Sequence, residues 1–183
     1  MSRLYLVRHG NASTTWEPGD FDPGLSGLGH AQAEARAEQL AGQGPLVLLS
    51  SPLRRARETA AALERRWKTV AQVDSRLGEI SADGVAPEKR REWLKAILGR
   101  RWSELGQPLD RWRTDVLEAL LGITQDTVVF SHFVAINVAV GHALGDDRVA
   151  CFYPANCSCS LLEAQGKRFR VLELGTEEEA GIL

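Results

Sequence analysis

The sequence predicts a three-layer α/β fold, with a mostly parallel central sheet, helices on both faces and an antiparallel strand near the C-terminus. Three observations predict it. Short apolar runs at 3–8, 46–50 and 126–131 have the near-continuous hydrophobicity of strands covered on both faces. Each is followed by a polar turn and a helical pattern, the βαβ alternation of a doubly wound sheet. Near the end, residues 158–164 and 168–174 alternate about Gln165-Gly166-Lys167, which predicts an antiparallel hairpin at the sheet edge.

The elements follow in order. The first helix is expected from Ser26, a plausible cap, to about Ala41, where Gly42 stops it. The second is expected to begin at Ser51-Pro52, serine at the cap and proline at the first helical position, with Ala56, Thr59, Ala60, Leu63 and Trp67 as its inner stripe. VAQVDSRL at 70–77 reads as a fourth strand and turn. Residues 80–106, with Trp93 and Trp102 among many charges, read as an inserted helix and loop over one end of the sheet. They are either a lid that decides substrate or a packed helix with a solvated basic face, and exposed tryptophans there could serve a homodimer contact. A helix over 108–121 opens with Pro108 and buries Leu109, Trp112, Val116 and Leu120. Another spans about 133–144, and the last eight residues, TEEEAGIL, read as frayed.

A length of 183 residues suits one domain, 1–183, with the insertion near 80–106. The 44% hydrophobic content is enough for a sizeable core, yet no apolar run nears the ~20 residues of a membrane span. MSRLYLVRHGN turns polar too soon for a signal peptide, so a soluble cytoplasmic protein is expected. A net charge of −2 gives no pull toward nucleic acid or anionic membrane, and local arginine clusters fit a small anionic ligand better. The three cysteines, Cys151, Cys157 and Cys159, are odd in number and crowded. They read as small buried residues in a sheet, Cys157 and Cys159 on one face, and not as a disulfide framework or metal site.

Ligands of open α/β sheets bind outside the carboxyl ends of the strands. Arg8-His9-Gly10 closes the first strand, Ser50-Ser51 the second and Ser131-His132 the third, while Glu79 follows the 70–77 segment. Together they describe a phosphate pocket. Guanidinium groups pair with phosphate oxygens, and the helix N-terminus after His132 offers oriented N–H groups. A neutral histidine nitrogen can attack phosphorus, and a carboxyl group can protonate the leaving alkoxide. His30 and His142 lie on predicted helices without an arginine partner and read as surface or packing residues. Arg54, Arg57, Arg65 and Arg66 read as a solvated face, and periodicity does not choose between Arg54 and Arg55.

The chain resembles the histidine phosphatase superfamily, the phosphoglycerate-mutase-like family, in ordered motifs. LVRHG at 6–10 looks like its signature; Leu25-Ser26, Gly29 and Gln32-Ala33 are similar to its next helix motif. SSPLRRARETA at 50–60, Leu77-Gly78-Glu79, VVFSHF at 128–133 and Asn156 through Glu163 are similar to those that follow. The resemblance implies His9 as nucleophile, Glu79 as general acid and then base, and Arg8, Arg55 and His132 as holders of the phosphoryl oxygens. It adds Asn11, Thr15 and Phe133 as phosphate or substrate contacts. Thr15 stands where an Asn is frequent, and Phe133 where a glycine is frequent, narrowing the pocket mouth. Ser81 through Val85 replace the usual aromatic and acidic run, and Gly106-Gln107-Pro108 stands for a common Gly-Glu-Ser. The implied activity is hydrolysis of a phosphomonoester, from a small metabolite or a phosphoprotein, without metal or organic cofactor. The RHGNA start and short length are also similar to bacterial members that dephosphorylate protein histidines. A mutase and a non-catalytic phosphate-binding protein are the alternatives. Mutases of the family tend to carry longer closing insertions, and the presence of both His9 and Glu79 argues against a binding protein.

Overall fold

The structure, a computed structural model, describes residues 1–13, 22–82, 84–86 and 89–178. Its sheet has six strands: β1 (Ser2–Arg8), β2 (Val47–Ser50), β3 (Gln72–Val73), β4 (Thr127–Ser131), β5 (Cys159–Gln165) and β6 (Arg168–Glu173). Their order is β3-β2-β4-β1-β5-β6. β1 to β4 run parallel, while β5 pairs antiparallel with both β1 and β6, so the parallel sheet ends in the expected hairpin.

Alternation along β1 divides the core. Tyr5 and Val7, with Val128 and Phe130 of β4, face α1 (Gly27–Leu40) and α2 (Arg54–Trp67), meeting Ala33, Ala37, Ala60 and Leu63. Leu4, Leu6 and Val129 point the other way, to α4 (Gln107–Leu121) and α5 (Phe133–Leu144), with α3 (Arg90–Leu98) on the same side. The register places the carboxyl ends within one residue of each other: Arg8 lies opposite Ser131, and Ser50 opposite Phe130. The next residues, His9, Ser51 and His132, therefore leave the sheet side by side. Among the described residues, no helix is long and apolar enough to cross a membrane.

Several elements differ from expectation. α2 starts at Arg54, two residues later than the expected first helical position at Pro52. Ser51 Oγ instead accepts the Leu53 N–H at 3.1 Å, and Leu53 is the cap. α1 stops at Leu40 and tightens into a 3₁₀ turn over Ala41–Gln43 that contains Gly42. Only Gln72–Val73 of the 70–77 segment pairs as strand, before a 3₁₀ turn over Ser75–Leu77. Cys157 lies outside the hairpin, buried in a turn with φ of 55°, and β5 begins at Cys159.

The 80–106 region is part of the core. Ile97 and Leu98 of α3 are buried. Trp102, expected to be exposed, is 2% exposed. Its ring stacks on Trp112 at 6.1 Å, with the Arg113 guanidinium 5.2 Å from its centroid. Trp93 is half-buried against the same cluster. The tail differs too. Residues 176–178 are tied down, with Ala155 donating to the Thr176 carbonyl at 2.8 Å and Glu178 N–H to the Tyr153 carbonyl at 2.8 Å.

One close approach seats the loop after β1 on α1. Ser26 caps α1 by accepting the Gly29 N–H at 3.1 Å, and its backbone N–H donates to the Asn11 carbonyl at 2.9 Å. A Cβ on Gly29 would run into that carbonyl, and one on Gly10 would lie 2.7 Å from the Gly29 oxygen. Both obstacles are backbone, so no side chain can swing aside. Gly29→Ala is expected to destabilise the protein by about 1–3 kcal/mol in urea unfolding, the usual range for overpacking.

Candidate active site

His9 emerges from β1 with its backbone N–H held by the Ser131 carbonyl at 3.0 Å. Its Nδ1 lies 2.7 Å from the Gly10 carbonyl oxygen. A carbonyl only accepts, so Nδ1 carries the hydrogen and Nε2 presents a lone pair. That lone pair accepts a hydrogen bond from Arg55 Nε at 3.2 Å. Burial, with the Arg55 and Arg8 charges nearby, lowers the His9 pKa to about 3, against the upward pull of the Gly10 carbonyl. The imidazole is thus neutral and its free electron pair is fixed on Nε2.

Two arginines flank it. Arg55, in the first turn of α2, points inward, while Arg54 turns out to pair with Glu58 at 2.7 Å. Helix geometry makes this choice, since adjacent positions sit on different faces. Arg55 Nη1 lies 3.7 Å from Asp22. Thr59 Oγ1 locks α2 to the loop, accepting from Gly10 N–H at 3.0 Å and donating to the Arg55 carbonyl at 2.7 Å. Arg8 Nη1 donates to the Pro154 carbonyl at 2.7 Å and to Glu178 Oε2 at 3.3 Å. Its guanidinium lies 5.4 Å from the Phe133 ring centroid, and its Nε is buried with no partner among the described residues.

His132 caps α5, its ring centroid 5.1 Å from that of His9. Its Nε2 lies 2.7 Å from Ser51 Oγ, and its Nδ1 is buried without a partner among the described residues. Burial, then His9, Arg55 and Arg8, hold its pKa well below the ordinary histidine value. Glu79 stands at the same end of the sheet. Its turn is pinned by Ser131 Oγ donating to the Leu77 carbonyl at 2.8 Å. The Glu79 carboxylate accepts from Ile80 N–H at 2.9 Å and Val134 N–H at 3.3 Å. Burial nonetheless raises its pKa, outweighing those two N–H groups and the Arg55 and Arg8 charges. The Val134 N–H, at the α5 N-terminus expected to face phosphate, thus serves the acid group.

Of the other expected contacts, Phe133 is buried and meets Tyr153 edge-on at 5.6 Å. Asn11 braces α1, its Oδ1 accepting from Ser26 Oγ at 2.7 Å and its N–H donating to Gln32 Oε1 at 2.8 Å. Thr15 lies outside the described residues. His30 is exposed, 3.8 Å from Glu58, and His142 packs edge-on against Phe169 at 5.7 Å. All three cysteines are free, and burial pushes their thiols up, Cys151 and Cys159 to about 11 and Cys157 to about 12, so none is a ready nucleophile.

Sequence reasoning missed two residues that close the site. Asn156 Nδ2 donates to the His9 carbonyl at 3.0 Å. Glu178 bridges its neighbours, one oxygen taking Arg8 and the other the Asn156 N–H at 2.8 Å. Asn156 heads the closing-strand motif, so a signal existed. Glu178 sits in an acidic run that reads as solvated tail, and nothing in the sequence marks it.

The chain is similar to several known proteins. Residues 4–177 match the model of the histidine phosphatase superfamily (branch 1). A glucosyl-3-phosphoglycerate phosphatase of Mycolicibacterium vanbaalenii is 36% identical over 141 residues, 69% of this chain and 60% of that protein, so the chain spans well under two thirds of that relative's length. A probable phosphoglycerate mutase GpmB of Serratia proteamaculans is 28% identical over a 192-residue alignment covering 90% of this chain and 86% of that protein. Among solved structures, a mycobacterial glucosyl-3-phosphoglycerate phosphatase complexed with VO3 matches with a TM-score of 0.70 and 25% identity, over 97% of this chain and 100% of that one. YhfR of Bacillus stearothermophilus shares the fold, with a TM-score of 0.78 and 20% identity over 94% of this chain and 96% of that one. With a family match over residues 4–177, and two histidines and two arginines gathered where its motifs fall, the protein belongs to the histidine phosphatase superfamily, branch 1.

Proposed function

We propose that the chain, as one domain, hydrolyses a phosphomonoester through a phosphohistidine formed on His9. One observation carries this reading: a neutral imidazole with its lone pair on Nε2 is buried beside two nitrogens, Arg8 Nε and His132 Nδ1, that are buried without a partner among the described residues. An anion with several acceptor oxygens would bond both. In the first step the His9 Nε2 lone pair leaves Arg55 and attacks phosphorus in line. The P–O bond to the leaving group breaks as Glu79 delivers its proton to the departing oxygen. Arg8, Arg55 and His132 hold the phosphoryl oxygens, and the family resemblance adds Asn11, Thr15 and Phe133 as phosphate or substrate contacts. In the second step Glu79 takes a proton from water, whose oxygen attacks phosphorus. The P–N bond breaks, returning neutral His9 and inorganic phosphate.

The substrate class proposed is a small phosphorylated metabolite or a phosphoprotein, met in the cytoplasm. The phosphatase relatives support the reaction, and the near-neutral charge supports the absence of nucleic-acid or membrane partners. A phosphoglycerate-type mutase is the second reading, favoured by the relative of that description. The test is phosphate release from a panel of phosphomonoesters in EDTA, comparing the native chain with His9→Ala. Release that survives the chelator and disappears in the variant supports a metal-independent histidine phosphatase. Isomerisation of a phosphoglycerate without net release moves the assignment to a mutase.

The acid assignment has its own signature. His9 is neutral down to about pH 3, so the acid limb of kcat/KM is not set by this histidine at the ordinary imidazole value of about 6.5. Glu79 must be protonated, and its pKa is raised. Activity should therefore fall as pH rises through that elevated value. In Glu79→Gln the alkaline limb should flatten, and hydrolysis of an alkyl phosphate should fall by about 10²–10⁴-fold, while an activated aryl phosphate loses much less. An alkyl phosphate turned over at the native rate by this variant would remove Glu79 from the role.

A further inference from the structure

Resting on the reading that His132 meets the phosphoryl group, we infer that Ser51 is a positioning residue that fixes the tautomer of His132, keeping its proton on Nδ1. His132 is wholly buried and has two ring nitrogens with different fates. Nε2 lies 2.7 Å from Ser51 Oγ, and Nδ1 has no partner among the described residues. A neutral imidazole has one N–H and one lone pair, and the hydrogen bond made at one nitrogen decides which form exists. The burial and neighbouring cations that lower the His132 pKa keep the ring neutral, so the choice is between two tautomers.

Ser51 makes that choice through its own bonding. One lone pair of its Oγ is taken by the Leu53 N–H at 3.1 Å. The hydroxyl hydrogen then needs an acceptor in a wholly buried place, and His132 Nε2 is the one that the described residues provide. If Nε2 carried the proton instead, Ser51 Oγ would take two donors and leave its own hydrogen stranded. The Nδ1 lone pair would then confront the phosphoryl oxygens, a repulsion where a donor is needed. With the proton on Nδ1, every polar atom of the Ser51–His132 pair is satisfied except the N–H that the phosphoryl group would meet. The displaced start of α2 has a purpose in these terms. A helix beginning at Ser51 would turn its hydroxyl to the helix N–H groups as a cap and away from the histidine.

The test reads the tautomer directly, on the free enzyme and without turnover. Long-range ¹H–¹⁵N correlation spectra of ¹⁵N-histidine-labelled protein distinguish an N–H at Nδ1 from one at Nε2, with His132→Gln assigning the signal. The native protein should carry the His132 proton on Nδ1. In Ser51→Ala the proton should redistribute toward Nε2, and inhibition by orthovanadate should weaken by about tenfold or more, the scale of losing a transition-state donor. Ser51→Thr, which keeps the hydroxyl, should restore both. A native His132 with its proton on Nε2 overturns the inference, as does a folded Ser51→Ala that keeps the Nδ1–H form and native vanadate affinity. Should Ser51→Ala fail to fold, the native spectrum alone still decides the tautomer. Because that spectrum involves no substrate, failure of the phosphatase reading would show separately, as absent phosphate release with the tautomer intact.

Discussion

Everything at this site depends on the cost of burying like charges together. Two guanidiniums and two imidazoles share one enclosed space, with the histidine rings 5.1 Å apart and Arg55 on the His9 nitrogen at 3.2 Å. Burial disfavours the protonated imidazoles most, and the arginines, which do not give up their protons, add to it. That sends His9 to about 3 and His132 well below its ordinary value. Burial does most of this, and the cations that would hold a phosphoryl group add to it, so the His9 Nε2 lone pair stays free of a proton. Carboxylates are rationed accordingly. Asp22 and Glu178 touch the outer edges of the arginines, and Glu79 is held by backbone N–H groups while burial keeps its affinity for a proton high.

The fold supplies this arrangement mainly through register. Three parallel strands end within one residue of each other, and each is followed at once by a site residue, so no long loop is needed to bring them together. Two local devices refine the result. The turn over Ser51–Leu53 aims Ser51 at His132, and the first turn of α2 aims Arg55 at His9. The mutual approach of Gly10 and Gly29 lets the loop after the nucleophile lie flat on the cap of α1. Both act on backbone conformation, which is why they can set a side-chain geometry without belonging to it.

What the sequence made legible follows from how local each signal is. The strand and helix pattern, the hairpin and the strand-end residues all rest on periodicities within a few turns of chain, and the structure reproduces them. Arg55 over Arg54 needed the family motif, since both positions are polar and adjacent. The serine–proline pair is a local start signal, yet α2 begins two residues beyond Pro52 and Ser51 bonds the distant His132. Trp102 lies among charged neighbours in sequence, yet its ring stacks on Trp112 and carries the Arg113 guanidinium over it. The hold of Glu178 on Arg8 spans 170 residues, and nothing nearby in the chain announces it.

That long-range hold bears on how the protein comes into being. Chains are made from the N-terminus, and His9 is among the first residues to appear. Its strand, however, is flanked by β4 and β5, and the arginine beside it is secured by Glu178. Arg8 and His9 must therefore wait for residues made much later. A polypeptide released by the ribosome before Glu178 would lack the assembled site. The same nonlocal closure commits the complete chain to a slower search than a helical bundle of its size would face.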